Sequence, residues 1–379
     1  MAKRGANEGA IFQRKDGRWC SVIDLGWENG KRNRKSFYGA TRKKVAEDLN
    51  KALREKARGL PVVLERQTLD QFLGHWLEDV VQPSTRPATF SSYADTMRLH
   101  VVPDLGRFLL SKLAPMHVQS LLNKKLKQGL SRRYVSYIRS VLRIALSQAV
   151  KWNLVAYNVV DRVDPPRVER HQVRSLDSTS ACNFLGVVKG DRLETLYSIA
   201  LSVGLRRGEI LGLRWQDLDL EAGTLSVKQT VQRIRGKGMT FAPPKTDRAR
   251  RTVNVPSPVI ASLRRHRRAQ LEERLKAGSR WHEFDLVFPS NIGTPLEPRN
   301  LDRHFKRMLA KTGLPNMRFH DLRHTAASLM LAANVNPRTA ADILGHSRIS
   351  VTLDTYSHVM PPAMHEAADR ISAVLWSQN

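Results

Sequence analysis

The sequence predicts a multidomain, mainly α protein with small β-sheets. Three observations carry that prediction. The chain has 379 residues, enough for two or three domains. Its first 65 residues alternate apolar and polar positions between turn dipeptides, and the segment after them repeats apolar residues at helical spacing. A stretch with Pro165-Pro166 and little apolar content, Asp164 to Arg174, then separates the helical segment from a longer mixed region. The expected division is a three-stranded sheet plus helix over 1–65, an all-α unit over 66–165, a linker over 166–174 and a mixed α+β unit over 175–379.

In the first unit, Ile11 to Gln13, Trp19 to Leu25 and Arg34 to Tyr38 read as strands, punctuated by the turn signals Asp16-Gly17 and Asn29-Gly30. Trp19, Ser21, Ile23 and Leu25 alternate with Cys20, Val22 and Asp24, as in a strand facing two environments. Val45, Leu49, Ala52 and Leu53 then share one face of a helix over about 41–58. Arg14, Arg18, Arg32, Arg34 and Lys35 crowd the strands. A basic sheet of this size can lie in a major groove, and the same charges suit a solvated surface.

The second unit opens on Thr68-Leu69-Asp70-Gln71, which reads as a capping box, followed by the stripe Leu69, Phe72, Trp76, Leu77 and Val80. Further helices follow Pro87 and run from Pro115 to about Leu126. A fourth starts near Ser131, with Tyr134, Ile138, Val141, Leu142 and Ala145 inward and Arg132, Arg133, Arg139 and Arg143 opposite. Basic outer faces fit a bundle that grips a DNA backbone, and each helix alone fits ordinary solubility.

Charge narrows the function. Sixty-three basic residues against thirty-five acidic give a net +28, which a polyanionic partner explains most simply. No run approaches the roughly 20 apolar residues that span a bilayer. No apolar run follows the basic Met1-Ala2-Lys3-Arg4-Gly5, so no signal peptide and a cytoplasmic location are expected. Cys20 and Cys182 are far apart in sequence, and neither a disulfide framework nor a thiolate zinc site is expected.

The third unit carries candidate chemistry. An apolar helical stripe, Leu193 to Leu201, ends at Gly204-Leu205-Arg206-Arg207-Gly208-Glu209, which holds an arginine at a helix junction within reach of an acid. Arg206 and Glu209 alone also fit a surface ion pair. Pro243-Pro244-Lys245-Thr246-Asp247-Arg248 joins two strand-like runs, 224–234 and 250–255, and would put Lys245 on a hairpin. His320 and Arg323 are three apart and face one side of a helix. His320 and His324 have the spacing of a zinc helix, but Asp321 stands where a metalloprotease carries Glu, so no metal is expected. His346 follows Leu344-Gly345, and Tyr356 comes ten residues later.

Together these are two arginines, two histidines, a lysine and a tyrosine in a strongly basic chain. Paired guanidiniums can hold a phosphodiester's non-bridging oxygens. A tyrosine hydroxyl can act as a covalent nucleophile, and histidine can take up a proton near neutrality. In this order the residues resemble the signature of the tyrosine recombinase (phage integrase) family. Arg206 resembles its first arginine with Glu209 in support, and Lys245 its hairpin lysine. His320 and Arg323 resemble its His-x-x-Arg pair, His346 its Leu-Gly-His histidine and Tyr356 its nucleophile. The helical unit resembles the family's core-site-binding domain, and the N-terminal sheet the arm-site-binding domain of lambda-type integrases.

The resemblance implies cleavage and rejoining of DNA through a 3′-phosphotyrosyl intermediate, without a cofactor. It implies core and arm attachment sites on double-stranded DNA, a homotetramer around a Holliday junction, an accessory DNA-bending protein and an excision-directing factor. A type IB topoisomerase would use similar residues, and a non-catalytic DNA-binding protein would need only the charge. After Tyr356, the residues Met364, Ala367, Ala368, Ile371, Val374 and Leu375 recur at helical spacing, and that helix would dock on a neighbouring protomer or on its own domain.

Overall fold

The structure of the chain, a computed structural model, describes residues 9–28, 31–57, 67–169, 174–244, 246–345 and 375. Lys245, His346, Tyr356 and the expected tail helix apart from Leu375 therefore lie outside the described residues. The chain divides into two compact units, 1–170 and 171–379. Among the described residues no helix is long and apolar enough to cross a membrane.

The first unit begins with strands β1 (Ala10–Gln13), β2 (Trp19–Glu28) and β3 (Lys31–Gly39), paired antiparallel in that order, and helix α1 (Arg42–Ala57). Helix α1 packs Val45, Leu49 and Ala52 onto the face of β2 that carries Ser21 and Ile23. The Ser21 hydroxyl donates to the Val45 carbonyl at 2.9 Å, so this buried polar group is satisfied. Phe12, Cys20 and Tyr38 are cross-strand neighbours on the opposite face, where Phe12 and Tyr38 stay exposed.

A separate helical core follows. The Thr68 hydroxyl accepts from the Gln71 amide at 3.3 Å and the Gln71 side chain accepts from the Thr68 amide at 3.0 Å, a capping box that starts α2 (Leu69–His75). The helix widens to π geometry over Trp76–Val81, as does α3 (Pro87–Thr96) over Met97–Val101. Each π turn lies just before a proline, Pro83 or Pro103. A proline ring clashes with the carbonyl four residues back, and widening relieves that clash. Helices α4 (Pro115–Lys127) and α5 (Arg132–Lys151) complete the bundle. Its core is Phe72, Trp76, Met97, Leu121, Ile138 and Leu142 with their neighbours. On α5 it is Val135, not Tyr134, that points inward; Tyr134 sits at the rim, where it stacks on Tyr137.

The second unit contains α6 (Ser178–Val187), α7 (Glu194–Ser202) and α8 (Arg207–Leu211). Strands β4 (Leu218–Asp219), β5 (Thr224–Val227) and β8 (Arg251–Asn254) form one antiparallel sheet, and β6 (Thr230–Ile234) with β7 (Gly238–Ala242) a separate hairpin. Helices α9 (Ser257–Ala277), α10 (Pro298–Ala310), α11 (Asp321–Ala332) and α12 (Pro337–Leu344) follow. Phe184, Leu196, Tyr197, Phe288, Phe305 and Leu322 fill the core. The expected hairpin placement of Lys245 lies outside the described residues, and the hairpin that is described joins β6 to β7. The hairpin tip is Arg235-Gly236-Lys237, because Gly236 and Gly238 supply the positive φ that the tight turn requires, at 76° and 71°. Pro243 and Pro244 follow the end of β7, and β8 belongs to the other sheet.

Candidate active site

Arg206 sits in the turn between α7 and α8. Gly204 makes that turn possible, because its φ is 69° and an added Cβ would lie 2.6 Å from Leu344 Cδ2. Gly208 serves close approach instead, since a Cβ there would lie 2.9 Å from the Val231 carbonyl oxygen. Arg206 is extended, at φ −69° and ψ 149°, and caps α8. Glu209, in the first turn of α8, reaches back to it: its carboxylate accepts from the Arg206 amide at 3.0 Å and from Nη1 at 2.8 Å. The carboxylate is buried, whereas the Arg206 side chain is 40% exposed. Thus one face of the guanidinium is fixed from inside and the rest opens outward.

Arg323 lies in the first turn of α11 and is buried. Its Nη1 donates to the Gly204 carbonyl at 2.7 Å and its Nη2 to the Leu344 carbonyl at 2.6 Å. Arg206 Nη2 donates to the next carbonyl, Gly345, at 3.0 Å. The structure therefore brings the two arginines to adjacent carbonyls at the end of α12. Among the described residues these carbonyls have no helical partner, and they stand at the negative end of the helix dipole, where guanidiniums are favoured. Gly345 ends α12 in the left-handed conformation, at φ 66°.

A third arginine, Arg251, was not singled out by the sequence. It donates from Nε to the Ile343 carbonyl at 2.5 Å and from Nη2 to Glu209 Oε2 at 3.2 Å. One signal for it existed. Arg251 shares the phase of Val253, in β8, and of Val255, just after it, and both valines are buried. Burial pushes the Glu209 carboxyl up, but the Arg251 charge, the Arg206 amide and the Arg206 charge outweigh it and hold the group below the usual carboxylate range.

His320 precedes α11, and its ring meets that of His324 edge to face at 5.3 Å. Although the residue reaches the surface, loss of water around the ring and the neighbouring His324 and Arg323 pull its pKa down to about 4. The imidazole is therefore neutral at pH 7, with a free lone pair, and a weaker base than an ordinary histidine. Asp321 is engaged by Arg318 at 2.7 Å, and among the described residues no cluster of three acidic, histidine or cysteine side chains could hold a metal. Arg206, Glu209 and His320 line one groove of about 930 Å³, together with Arg207, Arg233 and Arg318. Its balance of charge is basic, although Asp302 pairs with Arg207 and Glu297 with Arg233.

The candidate DNA-contacting cations separate by geometry. Arg34 is exposed on β3, and Arg14 lies over the Tyr38 ring at 5.3 Å. Arg18 and Arg32 pair with Asp16 and Asp24. Lys35 is opposite Ile23 on the helix-covered face, near the Phe37 ring. Arg132 and Arg133 are exposed at the start of α5. Arg139 differs from the expected outward cation: it donates to the Val163 and Val160 carbonyls at 2.6 and 3.2 Å and fastens the segment after the bundle. Arg143 pairs with Asp161 there and keeps a side chain 56% exposed.

Comparison with known proteins adds an independent line. Residues 167–361 match the phage integrase family, and residues 68–126 match the N-terminal SAM-like domain of phage integrases. The chain is 32% identical over 364 residues to a "Tyrosine recombinase XerC-like" protein of Caldanaerobacter subterraneus, covering 91% of this chain and 93% of that protein. It is 25% identical over 424 residues to an integrase of Saccharopolyspora erythraea, covering 97% of each. In structure it resembles the Tn1549 transposon integrase, with TM-score 0.67 at 21% identity over 80% of this chain and 99% of that one. Lambda integrase gives TM-score 0.57 at 16% identity, over 94% and 96%.

Proposed function

The chain belongs to the phage integrase family and is a tyrosine recombinase that cleaves and rejoins DNA site-specifically, and on that premise we propose which residues carry the reaction. The observation that supports the assignment is the convergence of Arg206 and Arg323 on adjacent carbonyls, Gly345 and Leu344, just before His346 and Tyr356 in sequence. The two guanidiniums take the non-bridging oxygens of the scissile phosphate. Losing one such donor costs about 10²–10³ in rate.

Tyr356 is the nucleophile. The second unit contains two tyrosines, Tyr197 and Tyr356. Tyr197 is fully buried, its hydroxyl is 2.8 Å from His304 Nδ1, and burial pushes its phenol far above the ordinary value. It is thus a poor nucleophile. As the bond from Tyr356 Oη to phosphorus forms, the bond to the 5′ oxygen breaks. The phenol proton passes to neutral His320, and Lys245 supplies a proton to the departing oxygen. His346 donates a hydrogen bond to the phosphate. A 5′-hydroxyl then attacks the 3′-phosphotyrosine and restores the tyrosine. One phosphate ester is exchanged for another, so the energetics call for no nucleotide or other cofactor.

DNA is the partner. The finer assignments are that residues 1–65 hold arm sites, that 66–165 grip the core site with Arg132 and Arg133, and that four copies act together. Lambda integrase, which shares the fold, has been solved as a tetramer bound to a Holliday junction. A DNA-bending protein and an excision-directing factor complete the set, in the cytoplasm of a bacterial host. Neither the topoisomerase nor the non-catalytic alternative is favoured by relatives that are named recombinases and integrases.

The test uses a duplex recovered from a randomised pool by retention on the full chain, then nicked beside the cleavage point to trap the adduct. Wild type should give a covalent adduct whose peptide maps to Tyr356. Tyr356→Phe should bind the duplex and give none. An adduct from that variant removes Tyr356 from the role.

A further inference from the structure

Arg251 lies outside the set of six residues that the reaction uses, yet it joins two parts of their framework. Its side chain is 7% exposed. Each nitrogen has a different acceptor: Nε the Ile343 carbonyl at 2.5 Å, Nη1 the Ala249 carbonyl at 3.1 Å and Nη2 Glu209 Oε2 at 3.2 Å. A planar fork with fixed donors can serve three directions at once, which a lysine ammonium cannot do with the same geometry. Gly345 packs directly on it, since a Cβ there would lie 2.8 Å from Nη1 and 3.1 Å from Cζ.

We propose that Arg251 is a positioning residue for strand cleavage: through Glu209 it sets Arg206, and through the Ile343 carbonyl it fixes the end of α12, from which the chain runs to His346 and Tyr356. The inference rests on the active-site reading above.

The charge balance gives the first reason. Glu209 is buried and needs a cation. If Arg206 were its sole partner, the two would form a neutral pair, and the guanidinium that faces the groove would offer a phosphate little net charge. With Arg251 as a second, buried partner, one carboxylate is shared by two guanidiniums. The cluster keeps a net positive charge on the partly exposed member, Arg206. Geometry gives the second reason. Ile343, Leu344 and Gly345 are consecutive, and their carbonyls accept from Arg251, Arg323 and Arg206 in turn. Strand β8, the start of α11 and the start of α8 are thereby tied to one helix end. A displacement of about 1 Å at such a point can cost about 10²-fold in rate without touching the substrate.

The experiment compares Arg251→Met and Arg251→Lys with wild type, full length, on the nicked duplex described above. Thermal melting and duplex affinity are measured beside the rate of adduct formation at saturating DNA. The expected result is affinity within about threefold of wild type. The adduct rate should be about 10–100-fold lower in Arg251→Met, the size of effect known for outer groups that orient metal ligands, with partial recovery in Arg251→Lys. Glu209→Gln combined with Arg251→Met should lose little more than the worse single variant, because the two act as one unit. An adduct rate within about twofold of wild type in Arg251→Met overturns the proposal, and so do fully additive losses. If Arg251→Met fails to fold, Arg251→Lys decides alone, and an unimpaired rate there overturns it. The Tyr356→Phe control separates the two levels: an adduct in that variant defeats the nucleophile assignment whatever the Arg251 variants do.

Discussion

At the scale of single residues, the site divides into groups that the sequence displays and groups that it conceals. Arg206, His320 and Arg323 stand in short motifs with glycine or histidine at fixed spacing, so they are legible. Arg251 stands in no such motif, and its role depends on Glu209 and Ile343, 42 and 92 positions away. Such pairings arise only on folding. His320 yields a pH prediction. Its pKa in the free protein is about 4, below the ordinary histidine value, because the ring loses water and faces His324 and Arg323. The neutral form accepts the proton, so activity belongs above that value. At limiting DNA, where the rate reports on the free enzyme, adduct formation should hold from pH 8 to about 5 and fail as pH nears 4. A midpoint near 6.5 would show that another group controls the step. Folding follows the same sign. The unfolded chain protonates this histidine first, so stability contributed by the neutral ring declines as pH falls from about 6.5 towards 4.

At the scale of elements, helices with strong signals were readable and their junctions were not. The Thr68 capping box and the apolar stripe of α5 follow from local chemistry, as periodicity and capping act over a few residues. Periodicity alone does not separate Tyr134 from the core, because an aromatic beside the stripe fits the rim as well, and only packing places Val135 inside. Strand β7 and its turn from β6 are not legible, because Gly238–Ala242 carries little apolar alternation and Pro243-Pro244 follows at once. The end of α12 is where an element-scale test is sharpest. Gly345→Ala must hold alanine at φ 66°, a cost of about 1–2 kcal/mol, and must displace the Arg251 guanidinium as well. Gly313→Ala provides the comparison in the same unit, with φ 69° and nothing within 4 Å of the added Cβ. Both variants should melt lower. Gly345→Ala alone should also slow adduct formation, by about 10-fold or more. Equal rates in the two variants would mean that the end of α12 does not govern the chemistry.

At the scale of the whole molecule, charge is unevenly distributed along the chain. Residues 1–65 hold sixteen basic and eight acidic side chains, a net +8 out of the total +28 in about a sixth of the length. Their core, Ile23, Leu49 and Ala52, is separate from the core that Phe72, Trp76 and Leu142 build in the helical bundle. The sheet can therefore be deleted without removing a side chain from the bundle's core. Phosphate contacts make affinity fall with salt in proportion to the number of phosphates neutralised, by a slope of about −0.9 for each in a duplex. A second DNA-binding unit on the same chain raises the effective concentration of the first at a DNA that carries both sites. These two effects predict different outcomes for one deletion. Without residues 1–65, adduct formation on a saturating, nicked core duplex should stay within about twofold of the full chain. The dependence of binding on salt should become shallower on long DNA that carries flanking sequence, and recombination between two such DNAs should drop at least 10-fold. If recombination persists at the full rate, the N-terminal sheet is not a second DNA grip, and its positive charge serves solubility alone.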